Sequence, residues 1–367
     1  MNRTKAKSLV LEDGSTYGGF QFGGSEFAYG EVVFNTSMTG YQEILTDPSY
    51  AGQIVVSTYP IIGNYGINER DYESAKIQVS GFVVREYCDF PSHNDSNGDI
   101  DGFLRSHNIA GLAGIDTRAL TKKIRASGVM MGAIVDTGEV DKVKGQFTKM
   151  PKYDGIDYVS KVTTNDQYDF ISEPSNGNVK GFTIVVDDYG VKRNILRILE
   201  SRGCRVVVVP AKSSAQEVLS LNPDGIVISP GPGDPELLKY QVNKTKKLIG
   251  KLPILGICLG NQVLGCAMGG KTFKLPFGHR GGNHPVKDLV SGKVSITAQN
   301  HGYALDAETL PGELDVTHIN LNDGTVEGIR HSELPIMGIQ FHSEASPGPL
   351  DNEYLFDRFL DLVQQNE

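Results

Sequence analysis

The chain has 367 residues, 39% of them hydrophobic and 22% charged, a length that predicts roughly two domains with their own cores. Its formal net charge is −9, so neither a nucleic acid nor an anionic membrane is expected as its main partner. No apolar run approaches the ~18 residues of a membrane-spanning helix. Four cysteines are too few for a disulfide framework, and the first residues lack a secretory signal, so we expect a cytoplasmic protein.

Residues 1–150 alternate short β-like runs with turns, which predicts a β-rich α+β domain. Leu9–Leu11 is followed by Asp13 and Gly14, a pair typical of a hairpin turn. Further strands are predicted at Glu31–Phe34, Ile54–Thr58 and Ile134–Val135, and a helix over Thr117–Ser127 that ends at Gly128. Residues 151–180 lack periodicity. Their polar stretch Ser172–Gly181, with Pro and Gly, indicates a linker.

Residues 181–367 change pattern and predict an α/β domain. Continuous apolar strands alternate with helices, as in a mostly parallel or mixed sheet covered by helices. The predicted strands are Phe182–Val186, Cys204–Val209, Ile226–Ile228 and Ile254–Ile257. The predicted helices are Lys192–Ser201, Ser214–Leu221, Leu237–Ile249 and Asn352–Gln364, and several strands are expected between Val294 and Gln340.

Gly256-Ile257-Cys258-Leu259-Gly260 is the strongest chemical signal. It follows an apolar strand and precedes a helical stretch, which is the context of a nucleophile elbow with Cys in place of Ser. A thiol at a helix N-terminus favours its thiolate form, and the N–H of Leu259 is available for an oxyanion. The alternative is a buried core cysteine, which is how we interpret Cys88, Cys204 and Cys266.

A nucleophilic cysteine needs a base, and His342 is the first candidate. It follows the apolar strand Ile336–Ile339, and Glu344 lies two residues on, where continued strand geometry would place it on the same side to orient the imidazole. The alternative is a surface histidine with a chance acidic neighbour. His301, between polar and Gly residues, competes as the base.

Three other motifs carry weaker signals. The loop Gly231–Pro235 could present backbone N–H groups to a substrate, or be only a rigid turn. Lys271 completes a formal phosphate-loop pattern, but a helix precedes it and an extended segment follows, the reverse of the required order. His279 and His284 flank two glycines, but the sequence shows no Cys or carboxylate set that completes a zinc site, so no metal is expected.

The cysteine elbow, the later His-x-Glu and the Gly loop together resemble a class I glutamine amidotransferase domain. The segments Asp188–Arg197, Gly278–Val286 and Ala345–Pro349 resemble the small-subunit family of carbamoyl-phosphate synthase, and so does Val33–Glu43 in the first zone. The resemblance covers essentially the whole chain. It implies a glutaminase in which the Cys258 thiolate attacks the side-chain amide of glutamine, and His342, held by Glu344, relays protons.

The resemblance also implies binding residues and partners. Backbone N–H groups of Leu259 and of the Gly231–Gly233 loop would stabilise the oxyanion. The residues that would grip L-glutamine are Ser49, Gln262, Asn300, Gly302 and Tyr303. Ammonia would pass to a separate large subunit, in a heterodimer or a higher oligomer, that makes carbamoyl phosphate for arginine or pyrimidine biosynthesis. ATP and Mg would belong to that subunit, so no cofactor is expected in this chain.

Three positions depart from the commonest family pattern. Asn261 stands where relatives often carry His, Ser343 where Pro is frequent, and Pro230 where Asn is frequent. Other functions stay open: a stand-alone cysteine γ-glutamyl hydrolase, a non-catalytic regulatory subunit, or an amidotransferase of the anthranilate or guanylate type. The N-terminal zone argues against the first and the last, and the intact Cys, His and Glu argue against the second.

Overall fold

The computed structural model describes residues 5–171 and 181–366. The chain divides into two compact units, Met1–Ile156 and Asp157–Glu367. Within the described residues, every helix is too short or too polar to cross a membrane.

The first unit is built mainly of strands. Its strands are β1 (Ala6–Leu11), β2 (Thr16–Gly23), β3 (Ala28–Asn35), β4 (Gln53–Ser57), β5 (Ile61–Ile62), β6 (Gly81–Val83), β7 (Glu86–Tyr87), β8 (Ala110–Ala113) and β9 (Met130–Asp136). Its helices are α1 (Tyr41–Thr46), α2 (Ile100–Ser106), α3 (Thr117–Ser127) and α4 (Val140–Lys144). The predicted hairpin, strands and helix of this region are confirmed, and Gly128 is the C-cap of α3.

Seven of these strands close into a barrel in the order β1-β2-β8-β6-β4-β3-β9. The pairs β3/β4, β4/β6 and β6/β8 are parallel, and the other pairs are antiparallel. Closure leaves the barrel strands without an unpaired edge. Apolar side chains such as Phe22, Val33, Val55 and Phe82 pack with the helices in one core cluster.

The second unit alternates strands and helices before a run of strands. Its strands are β10 (Tyr168–Phe170), β11 (Thr183–Asp188), β12 (Arg205–Pro210), β13 (Gly225–Ile228), β14 (Ile254–Ile257), β15 (Thr272–Asp288), β16 (Val294–Leu305), β17 (Leu314–Asn320), β18 (Val326–His331) and β19 (Ile336–Ile339). Its helices are α5 (Val159–Val162), α6 (Arg193–Ser201), α7 (Ala215–Ser220), α8 (Lys239–Leu248), α9 (Leu259–Ala267) and α10 (Tyr354–Gln365).

These strands form one mixed sheet in the order β10-β12-β11-β13-β14-β19-β18-β17-β15-β16. The pairs from β12 to β19 are parallel, as the continuous apolar runs predict, and the remaining pairs are antiparallel. Apolar clusters cover both faces: α6 and α10 pack on one, and α7, α8 and α9 on the other. The carboxyl ends of β11, β13, β14 and β19 therefore meet at one edge, where sites form in such sheets.

The predicted linker over 151–180 differs from the structure in its first half. Val159–Val162 is a helical turn, and Tyr168–Phe170 pairs with β12 as an antiparallel edge strand of the second unit. Tyr168–Phe170 lies at the edge of the sheet and pairs with a neighbouring strand on one side only. Such an edge strand needs few apolar residues, which explains why this segment shows little hydrophobic periodicity. Residues 172–180, the most polar part of the predicted linker, lie outside the described residues.

Two glycines shape the turn between β14 and α9. A Cβ on Gly260 would lie 2.0 Å from the carbonyl oxygen of Ile228 in β13, and a Cβ on Gly256 would lie 2.6 Å from the carbonyl oxygen of Gly260. Both contacts involve backbone atoms, which cannot move aside cheaply. Gly on each side of Cys258 is therefore a steric requirement of the fold.

Gly260→Ala should lower the free energy of unfolding by roughly 3 kcal/mol, because the new methyl group overlaps the backbone of β13. Gly312→Ala is the matched control, since Gly312 is exposed and no atom lies within 4 Å of the place its methyl group would take. It should change stability by no more than about 1 kcal/mol. Denaturant unfolding measures both, and equal effects would contradict the steric argument.

Candidate active site

Cys258 occupies the sharp turn between β14 and α9. Its backbone has φ 53° and ψ −105°, a conformation that non-glycine residues rarely adopt and that nucleophile elbows use. Its N–H donates to the Ile339 carbonyl at 2.8 Å, which ties the turn to β19. The side chain is 2% exposed, and Sγ lies 3.7 Å from the Asn300 carbonyl oxygen. The sequence-predicted elbow is thus present in the fold.

His342 and Glu344 meet beside this turn. His342 Nδ1 lies 2.6 Å from Glu344 Oε1, and both side chains are buried. The other ring nitrogen, Nε2, is buried without a hydrogen-bond partner among the described residues, and the charge of Cys258 acts on the imidazole. A base oriented by a carboxylate, with its free nitrogen near a thiol, is the arrangement that nucleophilic catalysis by cysteine requires.

The contact between His342 and Glu344 arises differently from the sequence argument. β19 ends at Ile339, so strand geometry does not continue through His342. Instead, His342 N–H donates to the Ala298 carbonyl at 2.9 Å as an isolated bridge to β16, and the next residues turn. The turn brings the carboxylate back to the imidazole. The pairing was predicted correctly, but its geometric reason was wrong.

Lys192 completes the site, and the sequence analysis assigned it no role. It is the N-cap of α6 and only 2% exposed. Its Nζ lies 3.1 Å from Glu344 Oε1 and donates to the Ala345 carbonyl. Asn194 adds a hydrogen bond of 2.6 Å from its amide to the Glu344 carbonyl. The available signal was a lysine at the start of a predicted amphipathic helix, which alone does not distinguish a buried lysine from a solvated one.

The neighbouring charges shift the pKa of Glu344 and of His342. Burial raises the pKa of Glu344, but the charges of Lys192 and His342 outweigh burial and lower it to about 2. Burial lowers the pKa of His342 and so does Lys192, but the charges of Glu344 and Cys258 outweigh both and raise it to about 10. Glu344 is therefore held as a carboxylate and His342 as an imidazolium that can donate a proton.

Several predicted glutamine-binding residues lie around the thiol. Gln262, in α9, donates from Nε2 to the Tyr303 carbonyl at 2.8 Å and to Gln340 Oε1 at 3.1 Å. Asn300, whose carbonyl faces the Cys258 thiol, and Tyr303 lie in the same strand, β16. Gly302 lies between them. The structure thus brings this predicted set together on α9 and β16.

The Gly231 loop also reaches the elbow. A Cβ on Gly231 would lie 2.2 Å from the Tyr189 carbonyl oxygen and 2.9 Å from the Leu259 side chain, so only glycine fits. Gly233 has φ 99°, in the region that favours glycine. Leu259 is the first residue of α9, so no carbonyl of that helix accepts its N–H. The role of these backbone groups as oxyanion donors stays a prediction.

Ser49 belongs to the first unit. It lies in a single 3₁₀ turn, Pro48–Tyr50, capped by Asp47, whose carboxylate accepts the Ser49 N–H at 2.9 Å. Its hydroxyl oxygen is buried without a hydrogen-bond partner among the described residues. Its role toward glutamine stays a prediction.

His301 does not compete for the base role in this geometry. Its Nδ1 lies 2.7 Å from the Tyr303 carbonyl oxygen and its Nε2 lies 2.9 Å from Gln299 Oε1, so neither nitrogen faces the thiol. Burial, with a smaller contribution from the charge of His279, holds its pKa well below the ordinary range. The geometry therefore favours His342 as the base.

The fold brings His279, His301 and Glu327 together, with one ligand atom of each within 4.8 Å of the others. The sequence analysis did not connect Glu327 with His279, because the two residues are distant in the chain. Glu327 lies in β18, and only the folded sheet brings it close to His279. Hydrogen bonds with Gln299, Tyr303, Asn320 and Asp323 account for these polar groups without an ion. Lys271 is exposed and follows α9, in the reversed order that excluded a phosphate loop.

The three residues that depart from the commonest family pattern, Asn261, Ser343 and Pro230, all lie near the active site. Asn261 donates from Nδ2 to Gln340 Oε1 at 3.2 Å, the same oxygen that accepts from Gln262. Ser343 is buried in the turn after His342. Pro230 accepts the Ser229 hydroxyl at its carbonyl at 2.8 Å. None of them displaces Cys258 or His342.

Comparison with known proteins defines the class. Residues 184–362 match the family model "Glutamine amidotransferase class-I", which spans the whole region of Cys258 and His342. Residues 9–134 match "Carbamoyl-phosphate synthase small chain, CPSase domain". A solved structure of a glutamine amidotransferase from Thermotoga maritima is 18% identical, with a TM-score of 0.36, and covers 50% of this chain and 84% of its own.

Curated relatives match over nearly the full length. The carbamoyl phosphate synthase small chain of Chlorobaculum tepidum is 51% identical over 362 residues, covering 97% of each sequence. That of Clostridium perfringens is 51% identical over 357 residues, covering 97% of this chain and 99% of the relative. That of Aquifex aeolicus is 50% identical, covering 98% and 99%. The chain belongs to the carbamoyl phosphate synthase small chain family.

Glu344→Gln tests the electrostatics of the site. Without the carboxylate charge, burial and Lys192 both lower the pKa of His342, which should fall by roughly one unit or more. The imidazolium then loses its proton at lower pH, so the alkaline limb of the kcat/KM profile for glutamine should move to lower pH. NMR titration of the imidazole gives an independent measurement.

Glu333→Gln is the control, because Glu333 is an exposed carboxylate of the same region. Its pH profile should match the unmodified chain. An unchanged alkaline limb in Glu344→Gln would show that this carboxylate does not set the protonation of His342.

Proposed function

We propose that Cys258, His342 and Glu344 are the catalytic residues of the glutaminase reaction of a carbamoyl phosphate synthase small chain. The observation that carries the assignment is the carboxylate-oriented imidazole beside a cysteine elbow, with a 2.6 Å contact between His342 and Glu344. The family membership supplies the substrate, L-glutamine, and the partner, which is the large subunit.

The reaction begins with attack of the Cys258 thiolate on the side-chain amide carbon of glutamine. The carbonyl oxygen becomes an oxyanion, which the N–H groups of Leu259 and the Gly231–Gly233 loop stabilise. His342 gives its proton to the amide nitrogen as the C–N bond breaks, and ammonia leaves. A γ-glutamyl thioester remains on the sulfur.

Water completes the cycle. His342, now neutral, takes a proton from water, whose oxygen attacks the thioester carbon. The C–S bond breaks, the new γ-carboxyl group loses its proton to solvent, and glutamate leaves while the Cys258 thiolate is regenerated. Glu344 stabilises the imidazolium in both half-reactions and is itself held by Lys192. Gln262, Asn300, Gly302, Tyr303 and Ser49 are proposed to hold the substrate.

The remaining parts of the proposal concern the partner subunit, its cofactors, the oligomeric state and the cellular location. Ammonia passes to the large subunit, which uses ATP and Mg with bicarbonate to form carbamoyl phosphate, so this chain holds no cofactor of its own. A heterodimer, or a higher oligomer built from it, is the proposed state, with no nucleic-acid or membrane partner. A cytoplasmic location is supported by four free thiols, at Cys88, Cys204, Cys258 and Cys266. The match of both zones to small chains does not favour a stand-alone hydrolase.

Cys258→Ala should abolish glutamine-dependent carbamoyl phosphate synthesis by the complex and leave ammonia-dependent synthesis intact, because only the hydrolysis of glutamine uses the thiol. A glutamine-analogue electrophile should label Cys258. Burial raises the pKa of Cys204 and Cys266 to about 11, which keeps both protonated and unreactive at neutral pH. Cys266→Ala is the control and should behave as the unmodified chain. Glutamine-dependent activity in Cys258→Ala would overturn the assignment.

Glutamate release should be slow in the isolated chain and at least about tenfold faster with the large subunit, ATP and bicarbonate. Ammonia is wasted unless the second site consumes it, and coupling between sites is typically worth about 1–3 kcal/mol. Steady-state glutamate release with and without each component measures this. Equal rates in all conditions would instead favour the stand-alone hydrolase.

A further inference from the structure

A chain of buried polar side chains lies behind the glutamine-binding strand β16 and takes no part in the proposed chemistry. Glu327, in β18, is completely buried, and Gln299 and His301, both in β16, are at most 5% exposed. Burial of such groups is costly unless each is hydrogen-bonded, so their arrangement needs a physical account.

A series of hydrogen bonds connects Glu327 to the residues around the active site. Gln299 Nε2 donates to Glu327 Oε2 at 3.0 Å, and Gln299 Oε1 lies 2.9 Å from His301 Nε2. His301 Nδ1 lies 2.7 Å from the Tyr303 carbonyl oxygen. The same oxygen accepts from Gln262 at 2.8 Å. Glu327 is thereby connected to the backbone of a residue proposed to hold glutamine.

Hydrogen bonds connect these groups into one unit. The Tyr303 carbonyl only accepts, so His301 Nδ1 carries a proton. The Gln299 amide joins His301 Nε2 to Glu327, so removing the Glu327 side chain removes one of the groups that hold this amide in place.

The remaining contacts of Glu327 hold it in place. Its Oε1 accepts from Asn320 Nδ2 at 2.9 Å and lies 3.5 Å from His279 Nδ1. Its backbone carbonyl accepts the N–H of Gln340 at 2.9 Å. The Gln340 side chain in turn accepts from Gln262. Glu327 thus supports Gln262 and Tyr303 along two separate routes.

We propose that Glu327 is a positioning residue for glutamine binding: through Gln299 it fixes the imidazole of His301, which holds the Tyr303 carbonyl and the Asn300–Tyr303 segment. This rests on the proposed glutaminase function. Glu327 lies outside the proton path between Cys258, His342 and Glu344, so its loss should weaken binding of glutamine and leave the chemistry of bound substrate largely unchanged.

The test uses the complex with the large subunit and compares Glu327→Leu with Glu327→Gln. Leu fills the space without hydrogen bonds and should raise KM for glutamine roughly tenfold, as expected for one lost hydrogen bond, with kcat within about threefold. Gln can close the chain with its amide and should restore KM to within about threefold. Gln299→Leu breaks the same chain one residue on and should repeat the Leu effect, so a folding failure of Glu327→Leu leaves the proposal testable.

Asp323→Asn is the matched control. It removes the carboxylate 2.8 Å from His279 Nε2 but leaves the bonds among Glu327, Gln299 and His301 in place, so KM should stay unchanged. Ammonia-dependent synthesis, equal in all variants, verifies an intact complex. An unmodified complex that does not hydrolyse glutamine would refute the proposed function rather than this inference.

Three results would overturn the proposal. An unchanged KM in both Glu327→Leu and Gln299→Leu would show that the chain does not position the substrate. An equal rise in KM in Asp323→Asn would indicate general loosening of the region. A stoichiometric metal ion in the unmodified chain, measured by elemental analysis and lost in Glu327→Leu, would make the cluster with His279 and His301 a metal site.

Discussion

The backbone turn at Cys258 is the constraint on which the rest of the site depends. A non-glycine residue at φ 53° and ψ −105° carries strain of roughly 1–3 kcal/mol, which surrounding structure must offset. Here the turn is fixed by the bond to Ile339 and by the packing of Gly256 and Gly260 against neighbouring backbone. The strained turn places the Cys258 sulfur at the carboxyl edge of the sheet and at the N-terminus of α9. The other residues of the site meet at this point.

Three buried charged side chains beside the Cys258 turn determine the chemical properties of the site. Lys192, His342 and Glu344 are all nearly inaccessible, and desolvation disfavours each charged form. Glu344 keeps its charge because Lys192 and His342 lie close by, and the carboxylate in turn raises the pKa of His342. The arrangement also isolates the imidazole from water. The neighbouring charges therefore set the pKa of His342, which keeps it protonated to donate to the leaving amide nitrogen.

The pattern of neighbouring residues predicted the strands and helices of this fold. Contacts between residues distant in the chain determine how these elements build the site. The apolar strands near Ile226 and Ile254 and the elbow at Cys258 follow from residues adjacent in the chain, so the sequence sufficed. Closure of the barrel, the burial of Lys192 and the approach of Glu327 to His301 depend on pairings across the sheet, which no local period encodes. His342 shows the difference within one motif, because its partner was evident from spacing, whereas the turn that joins them was not.

The residues proposed to bind glutamine and those proposed to catalyse its hydrolysis contact different buried polar side chains. Lys192 and Asn194 hold the turn that carries Glu344, whereas Glu327 and Gln299 lie behind β16. Asn261 and Gln262 donate to the same Gln340 oxygen, so Asn261 lies beside a residue proposed to hold glutamine. The side chain of Asn261, which stands where relatives often carry His, therefore contributes to the network around Gln340 and makes no hydrogen bond to Cys258, His342 or Glu344 among the described residues.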